Sequence, residues 1–371
     1  MIYLDNAATT LVKPASVERS FVQAMRTMAS PGRGGHEPAM RAAETVLDCR
    51  MEAAELFNAP EPEQIVFTMN ATHALNIAIR SLIRRGERVV VSGFEHNAVT
   101  RTLQACGARV CVAGRRLFDP ADTIEAFQKA LPDADFAICT HVSNVFGYAL
   151  PIYEIADLCR EHGVPLIVDA SQSAGILTVD VQRLGAAFTA MPGHKALFGP
   201  QGTGILICGE TGEPLLHGGS GSESILQEMP AFLPDRHEAG TQNVCGIAGL
   251  LAGIRFVKEK GTEAILSHER RLLADARREL TGCGLQLFTG SEQTQCGVLS
   301  LRSERHDCEW IAQRLAERGI CVRSGLHCAP TAHESAGTLQ SGTVRLSFSP
   351  FVTAEQVKGA CAALREIADQ A

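Results

Sequence analysis

No stretch of the 371-residue chain approaches the ~20 consecutive apolar residues of a membrane span. The opening Met1-Ile-Tyr-Leu-Asp5 lacks the charged and apolar regions of a secretory leader, so a cytoplasmic location is expected. Long runs of one charge are also missing. With 34 basic and 41 acidic residues and a net charge of −7, neither nucleic acid nor an anionic membrane is the expected partner, and a small ligand is. The thirteen cysteines are odd in number and contain no Cys-x-x-Cys pair, which argues against a zinc pattern and a disulfide framework and for free thiols. No internal repeat or low-complexity tract appears, and a composition that is 45% apolar and 20% charged excludes a disordered class.

What is present is alternation. Residues 41–57 place Ala43, Val46, Leu47, Ala53, Ala54 and Phe57 near a 3.6 period and predict an amphipathic helix. Short β-branched runs recur at 64–67, 88–91, 136–139, 166–169 and 204–207, most of them separated by helix-length segments. An α/β fold with a mostly parallel sheet follows, and ligands in such sheets bind beyond the carboxyl ends of the strands. Cys139 and Cys208 fall inside these runs and are expected in the core. A Gly- and Ala-rich helix near 241–253 and a charged helix over 263–280 lead into a smaller α/β unit. Its expected parts are strands 297–301, 320–323 and 343–348, a helix over 308–318 and a last helix after Thr353. The expected division is an N-terminal segment over 1–15, a large domain over 16–250 and a small domain over 251–371. His217 to Ser222 is expected to be a mobile loop.

One pairing carries chemistry. Lys195 lies between glycine-bearing turns, in Met191-Pro-Gly-His-Lys195, after an apolar strand that ends in Asp169. An amine for a Schiff base and an anion for a pyridinium proton are what pyridoxal 5'-phosphate needs. Taken singly, Lys195 also fits a solvated loop lysine and Asp169 a helix cap.

From Tyr3-Leu-Asp-Asn-Ala-Ala-Thr9 to Val344-Arg-Leu-Ser347 the motifs stand in the order of a known family. The chain resembles the class V group of fold type I pyridoxal-phosphate enzymes, and within it the cysteine desulfurases and selenocysteine lyases. The resemblance implies a large domain with a mostly parallel seven-stranded sheet, a smaller α/β C-terminal domain with the catalytic cysteine loop, and a homodimer with shared active sites. Lys195 matches the Schiff-base lysine and Asp169 the partner of the pyridine nitrogen. Gln172 and Asn144 match hydrogen-bond partners of the ring. His96, in Phe94-Glu-His-Asn97, resembles the histidine that stacks on the ring and shuttles protons, roles that suit an imidazole. Ala71 and Thr72, opening a helix after the 64–67 strand, fit phosphate binding at a helix N-terminus. His194 resembles a further phosphate contact, and Thr241 a residue that reaches the phosphate of the other subunit.

Cys328, in Val322-Arg-Ser-Gly-Leu-His-Cys-Ala-Pro330, matches the sulfur-accepting cysteine. Flanked by His327 and near Arg323, on a loop expected to be mobile, it has a setting that favours a thiolate. Arg345 resembles the clamp on a substrate carboxylate, and Asn6 and Ala7 would border the substrate. Ala8 and Thr9 are read as setting the turn. Pro192 stands where many relatives have serine, and His73 where glutamate is frequent. His333 is open between assisting Cys328 and covering the pocket. Cys328 and His333 together are two ligands, too few for zinc, so no metal is expected.

The resulting expectation is conversion of L-cysteine to L-alanine with a persulfide on Cys328, and a protein sulfur acceptor as a possible partner. Selenocysteine lyase, cysteine sulfinate desulfinase, a class V aminotransferase and an inactive scaffold for sulfur transfer are the alternatives.

Overall fold

The computed structural model describes residues 1–32 and 34–370. In chain order the first elements are β1 (Ile2–Tyr3), α1 (Ala15–Thr27), α2 (Glu37–Phe57), β2 (Ile65–Thr68), α3 (Ala71–Leu82), β3 (Arg88–Ser92), α4 (Asn97–Cys106) and β4 (Arg109–Ala113). Next come α5 (Pro120–Ala130), β5 (Phe136–Thr140), α6 (Ile152–His162), β6 (Leu166–Asp169), α7 (Val181–Leu184), β7 (Phe188–Pro192), β8 (Gly204–Cys208) and α8 (Val244–Lys260). The remainder is α9 (Thr262–Leu280), β9 (Leu285–Phe288), β10 (Val298–Ser303), α10 (Cys308–Glu317), β11 (Ile320–Cys321), β12 (Arg323–Gly325), α11 (Pro330–Ser335), β13 (Thr343–Ser347) and α12 (Ala354–Ala368).

The expected α/β class and seven-stranded sheet are present, in the order β2-β8-β7-β6-β5-β3-β4. β4, β3, β5, β6 and β7 run parallel to one another, while β8 is antiparallel to both β2 and β7. Every residue of β6 is buried, as both faces of a central parallel strand must be when helices cover them. β4 and β9, which the sequence pattern did not mark, are edge strands and only partly buried; Gln286 interrupts the apolar residues of β9, whereas β4 carries an apolar run at Val110 to Ala113 that the pattern reading passed over.

The C-terminal unit is a four-stranded antiparallel sheet, β12-β13-β10-β9. The strand expected over 320–323 is divided. Ile320 and Cys321 pair in parallel with Ile2 and Tyr3, whereas Arg323 to Gly325 pair with β13. Leu4 enters the second core with Leu299, Leu346 and Leu364, so the N-terminal segment is tied to the small unit. Helix α8 packs unbroken on α1 and α2 and gives Ile247, Leu250, Leu251 and Ile254 to the large core. A division after residue 250 therefore falls inside a packed helix. The core changes at Gly261, whose φ of +81° breaks the helix, and α9 then gives Leu272, Leu273, Ala276 and Leu280 to the second core.

Glu269 interrupts the apolar face of α9 beside Ile265, Leu266, Leu272 and Leu273, and is 3% exposed. It borders a cavity of about 30 Å³ that it shares with Lys195, Ser347 and Ser349. A side chain at Gly297 would put its Cβ 2.6 Å from Glu269 Oε2, so glycine makes the room. Burial pushes this carboxyl well above its ordinary 4.5. A raised pKa means the fold keeps a proton that the unfolded chain loses above 4.5, so this group increasingly penalises folding as pH rises. Replacing Glu269 by its neutral isostere, Glu269→Gln, is expected to raise the melting temperature at about pH 8 by about 2 °C or more. The gain should fade by about pH 4, where the carboxyl is protonated in both states. A variant less stable than wild type at the higher pH would show the carboxylate to be ionised and paired.

Candidate active site

Lys195 sits in the connection between the antiparallel strands β7 and β8. The loop is closed by Gly193 N–H to the Thr203 carbonyl (2.8 Å) and Gly199 N–H to the Gly193 carbonyl (2.7 Å). Only glycine fits at 193, since a Cβ would lie 2.2 Å from Thr203 Oγ1. Asp169 ends β6 next to this loop, 3% exposed, and its Oδ1 accepts the Ser171 N–H at 2.9 Å. Burial lowers the Lys195 amine from 10.5 to about 8; Asp169 opposes the shift, and Arg345 and Arg323 add to it. The amine is therefore half neutral near pH 8.

A cavity of about 200 Å³ opens at the carboxyl ends of these strands. It gathers Ala7, Ala71, Thr72, His96, Asn144, Asp169, Gln172, His194, Lys195, Cys328 and Arg345 from the sequence-predicted set. Two predicted residues lie elsewhere. Asn6 is buried behind the cavity, where its Nδ2 donates to the Ser347 carbonyl (2.9 Å). Thr241 is exposed on a different cavity, which it shares with His73, His237 and Glu238.

The start of α3 forms one end of this cavity. Asn70 Oδ1 caps the His73 N–H (2.8 Å), and the Asn70 carbonyl takes Ala74 N–H (3.1 Å). The amides of Ala71 and Thr72 precede the first helical hydrogen bond and face no helical acceptor. His194 borders the same space, with Nδ1 3.1 Å from Thr9 Oγ1. Pro192 also lines it and brings no hydroxyl.

His96 caps α4. Its Nδ1 accepts the Ala98 N–H at 3.0 Å, which puts the ring proton on Nε2, and burial lowers its pKa to about 4. The ring is thus a neutral donor at neutral pH. Gln172 Nε2 donates to the Ala7 carbonyl (2.9 Å) and Asn144 Nδ2 to the His327 carbonyl (2.8 Å), so each amide spends a donor on the protein.

Arg345 is 1% exposed. Its Nη2 meets Asp5 Oδ1 at 2.7 Å and its Nη1 donates to the Asn144 carbonyl at 2.9 Å, while its buried Nε–H has no partner. Cys328 is exposed at the mouth, and its carbonyl accepts the Asn97 N–H at 2.7 Å.

Several site residues escaped the sequence reading. Arg323, weighed only as a neighbour of Cys328, lines the cavity and pairs across strands with Arg345. Ala8, read as a turn residue, lines it too, as do Thr140 and Ser171. Asp5 was visible only as an acid beside Asn6. Glu95, directly before His96, lies fully buried, with Oε1 accepting from Thr140 N–H (2.8 Å) and Ser92 Oγ, and burial pushes it up to about 8. A carboxyl directly before the histidine was the signal available.

The model of the "Aminotransferase class-V" family matches residues 2–359. The chain belongs to this family. Class V relatives include a probable cysteine desulfurase of Methanothermobacter thermautotrophicus, 34% identical over 99% of this chain and 94% of its own. Among solved structures, the apo cysteine desulfurase of Thermococcus onnurineus NA1 superposes with a TM-score of 0.91 at 30% identity, covering 99% of this chain and 94% of that one. The cysteine desulfurase CsdA of Escherichia coli, in an S-sulfonic acid form, gives 0.85 at 26% identity, over 98% and 94%. Class V aminotransferases and cysteine desulfurases are pyridoxal-phosphate enzymes.

Site-resolved labelling of the cofactor-free protein with an amine-reactive reagent should show Lys195 reacting with a midpoint near about pH 8. Because Asp169 raises this pKa, Asp169→Asn should move the midpoint to lower pH. A wild-type midpoint near the ordinary 10.5 would refute the burial of the amine.

Proposed function

We propose that this chain is a pyridoxal 5'-phosphate-dependent cysteine desulfurase that moves the sulfur of L-cysteine onto Cys328 and leaves L-alanine. One observation carries the reading. The Lys195 amine, the Asp169 carboxylate, the Arg345 guanidinium and the Cys328 thiol all border a single cavity of about 200 Å³. An aminotransferase needs the first three and has no use for the thiol.

The residues present fit the cofactor. Two free amides at the start of α3, the Thr72 hydroxyl and His194 would hold its phosphate. Asp169 would hold the proton of the ring nitrogen, and Lys195 would tether the aldehyde carbon. His96 would cover one face of the ring as a neutral imidazole, and the remaining N–H of Gln172 and of Asn144 would serve the ring's oxygen. When bound, the cofactor withdraws electrons from the substrate's Cα.

Each protein group then has a task its surroundings support. The buried, unpartnered Nε–H of Arg345 and its Nη groups receive the substrate carboxylate, with charge-assisted hydrogen bonds that fix its orientation. Lys195, with its pKa near 8, exists in part as a neutral amine and takes the Cα proton. Cys328 gives up its thiol proton and attacks the substrate sulfur. The substrate's C–S bond breaks, an S–S bond forms, and the β-carbon takes up a proton. Cysteine and a thiol thus become alanine and a persulfide with no external oxidant.

Exposure of Cys328 suits transfer of that persulfide to a thiol-bearing acceptor. Thr241, exposed and away from the cavity of its own chain, is in keeping with a homodimer in which it serves the partner's phosphate site. Among the described residues no helix is long and apolar enough to cross a membrane.

Incubation of the reduced holoprotein with L-cysteine should yield alanine and, with a reducing thiol present, sulfide in equal amounts. Cys328→Ser should lower both by about 10³-fold or more while the protein keeps its bound-cofactor colour. A keto acid in place of alanine would make the chain an aminotransferase, and undiminished sulfide from the variant would remove Cys328 from the reaction. Parallel assays with selenocysteine and cysteine sulfinate fix the substrate preference.

A further inference from the structure

His333 borders neither the cavity nor solvent. It lies in α11, fully buried, five residues beyond Cys328, with its ring parallel to that of His327 within 10° and the centroids 5.7 Å apart. The two imidazoles belong to a chain of hydrogen bonds whose direction is fixed by its carbonyl end. His327 Nε2 is 3.3 Å from the Arg323 carbonyl, which can only accept, so His327 carries its proton on Nε2. Its Nδ1 is then a lone pair, and His333 Nε2, 3.4 Å away, must donate to it. That leaves His333 Nδ1 as an acceptor, and the Thr338 hydroxyl donates to it at 2.7 Å. Burial keeps both rings uncharged, His327 down to about 2 and His333 to about 4. Reversing the order would set the lone pair of His327 Nε2 against a carbonyl lone pair.

This chain supports a backbone that would not hold itself. His327 and Cys328 are successive residues in the left-handed region, with φ of +50° and +56°, and neither is glycine. Such conformations persist where the surroundings over-determine them. Asn144 holds the His327 carbonyl and Asn97 N–H holds the Cys328 carbonyl, which secures the peptide groups. Among the described residues the His327 ring finds its hydrogen-bond partners in the Arg323 carbonyl and His333.

We propose that His333 is a positioning residue for the Cys328 thiol: its Nε2–H fixes the tautomer and orientation of His327 and so maintains the left-handed turn that presents the thiol to the cavity. The proposal rests on the reading of Cys328 as the sulfur-accepting nucleophile. It assigns to His333 a task distinct from contact with substrate or thiol.

Three holoenzyme variants test it. His333→Gln reaches the Nε2 position and keeps the donor to His327, His333→Asn keeps only an acceptor toward Thr338, and His333→Leu keeps neither. Sulfide release should stay within about 3-fold of wild type for Gln and drop by about 30-fold or more in kcat for Asn and Leu, with KM for cysteine unchanged. Exchange of the alanine Cα hydrogen in heavy water, which uses Lys195 and not Cys328, should be retained in all three. Wild-type sulfide release by the Leu variant, or an Asn variant as active as Gln, would overturn the proposal. Loss of exchange in step with sulfide release would also overturn it, by showing that His333 supports the whole site. Cys328→Ala serves as the control. If that variant still releases sulfide at the wild-type rate, the role of Cys328 itself falls; if it is inactive while His333→Leu is fully active, the positioning role alone falls.

Discussion

The guanidinium of Arg345 is where the parts of the chain meet. It projects from β13 of the small unit, pairs with Asp5 of the N-terminal segment and donates to the Asn144 carbonyl at the end of the large unit's sheet. At 1% exposure it has lost its water, a change that costs several kcal/mol and is offset only when partners are close and well aligned. Burial weakens its hold on its proton and Asp5 strengthens it. Breaking such a pair by removing the acid leaves an uncompensated buried charge, a loss of about 3–5 kcal/mol. The unpartnered Nε–H means that the protein alone does not complete the arrangement. An anionic ligand would.

The N-terminal segment is built around that constraint. Asn6 and Ala7 hydrogen-bond to Ser347, two residues past Arg345, Gln172 returns a bond to Ala7, and Thr9 reaches His194 beside the lysine. A short segment with only a two-residue strand is thus fastened to both units. Its position determines whether Asp5 meets Arg345 and whether Ala7 and Ala8 wall the cavity. Distance in sequence has little bearing on its influence, because its bonds reach β13, the turn after β6 and the lysine loop.

Much of the fold was legible because its central strands are buried on both faces and read as continuous apolar runs, as at 88–91, 136–139 and 166–169. The edge strand β9 was not, since Gln286 interrupts its apolar residues, and β4 was passed over although Val110 to Ala113 form an apolar run; the split of 320–325 depends on pairing with residues 2 and 3, which no local pattern encodes. The site was legible where chemistry demands a particular side chain in a motif, as at Lys195, Asp169 and Cys328. It was opaque where a residue acts through tertiary proximity. Asp5 is an ordinary acid until Arg345 is brought to it, and Glu95 is unremarked until both its neighbours and its burial are known. The tautomer of His96 follows from one backbone N–H, that of Ala98, and no sequence spacing reveals which nitrogen it meets.

The proposed reaction needs an amine shielded from water and a thiol open to it, within one cavity. Shielding lowers the pKa of Lys195 and so raises the share of neutral amine, whereas a persulfide sealed in the same environment would have no route to an acceptor. A long flexible loop would meet both demands by moving, and would give up the entropy of ordering its residues in every turnover. Here the thiol stands on a turn whose carbonyls are tied to Asn97 and Asn144 and whose histidine rests on a buried neighbour. The strain of two left-handed residues is borne once, on folding, and the thiol then faces cavity and solvent without rearrangement. Such a turn favours an acceptor that comes to the protein surface over one that must enter the cavity, because Cys328 occupies the mouth and Lys195 the floor.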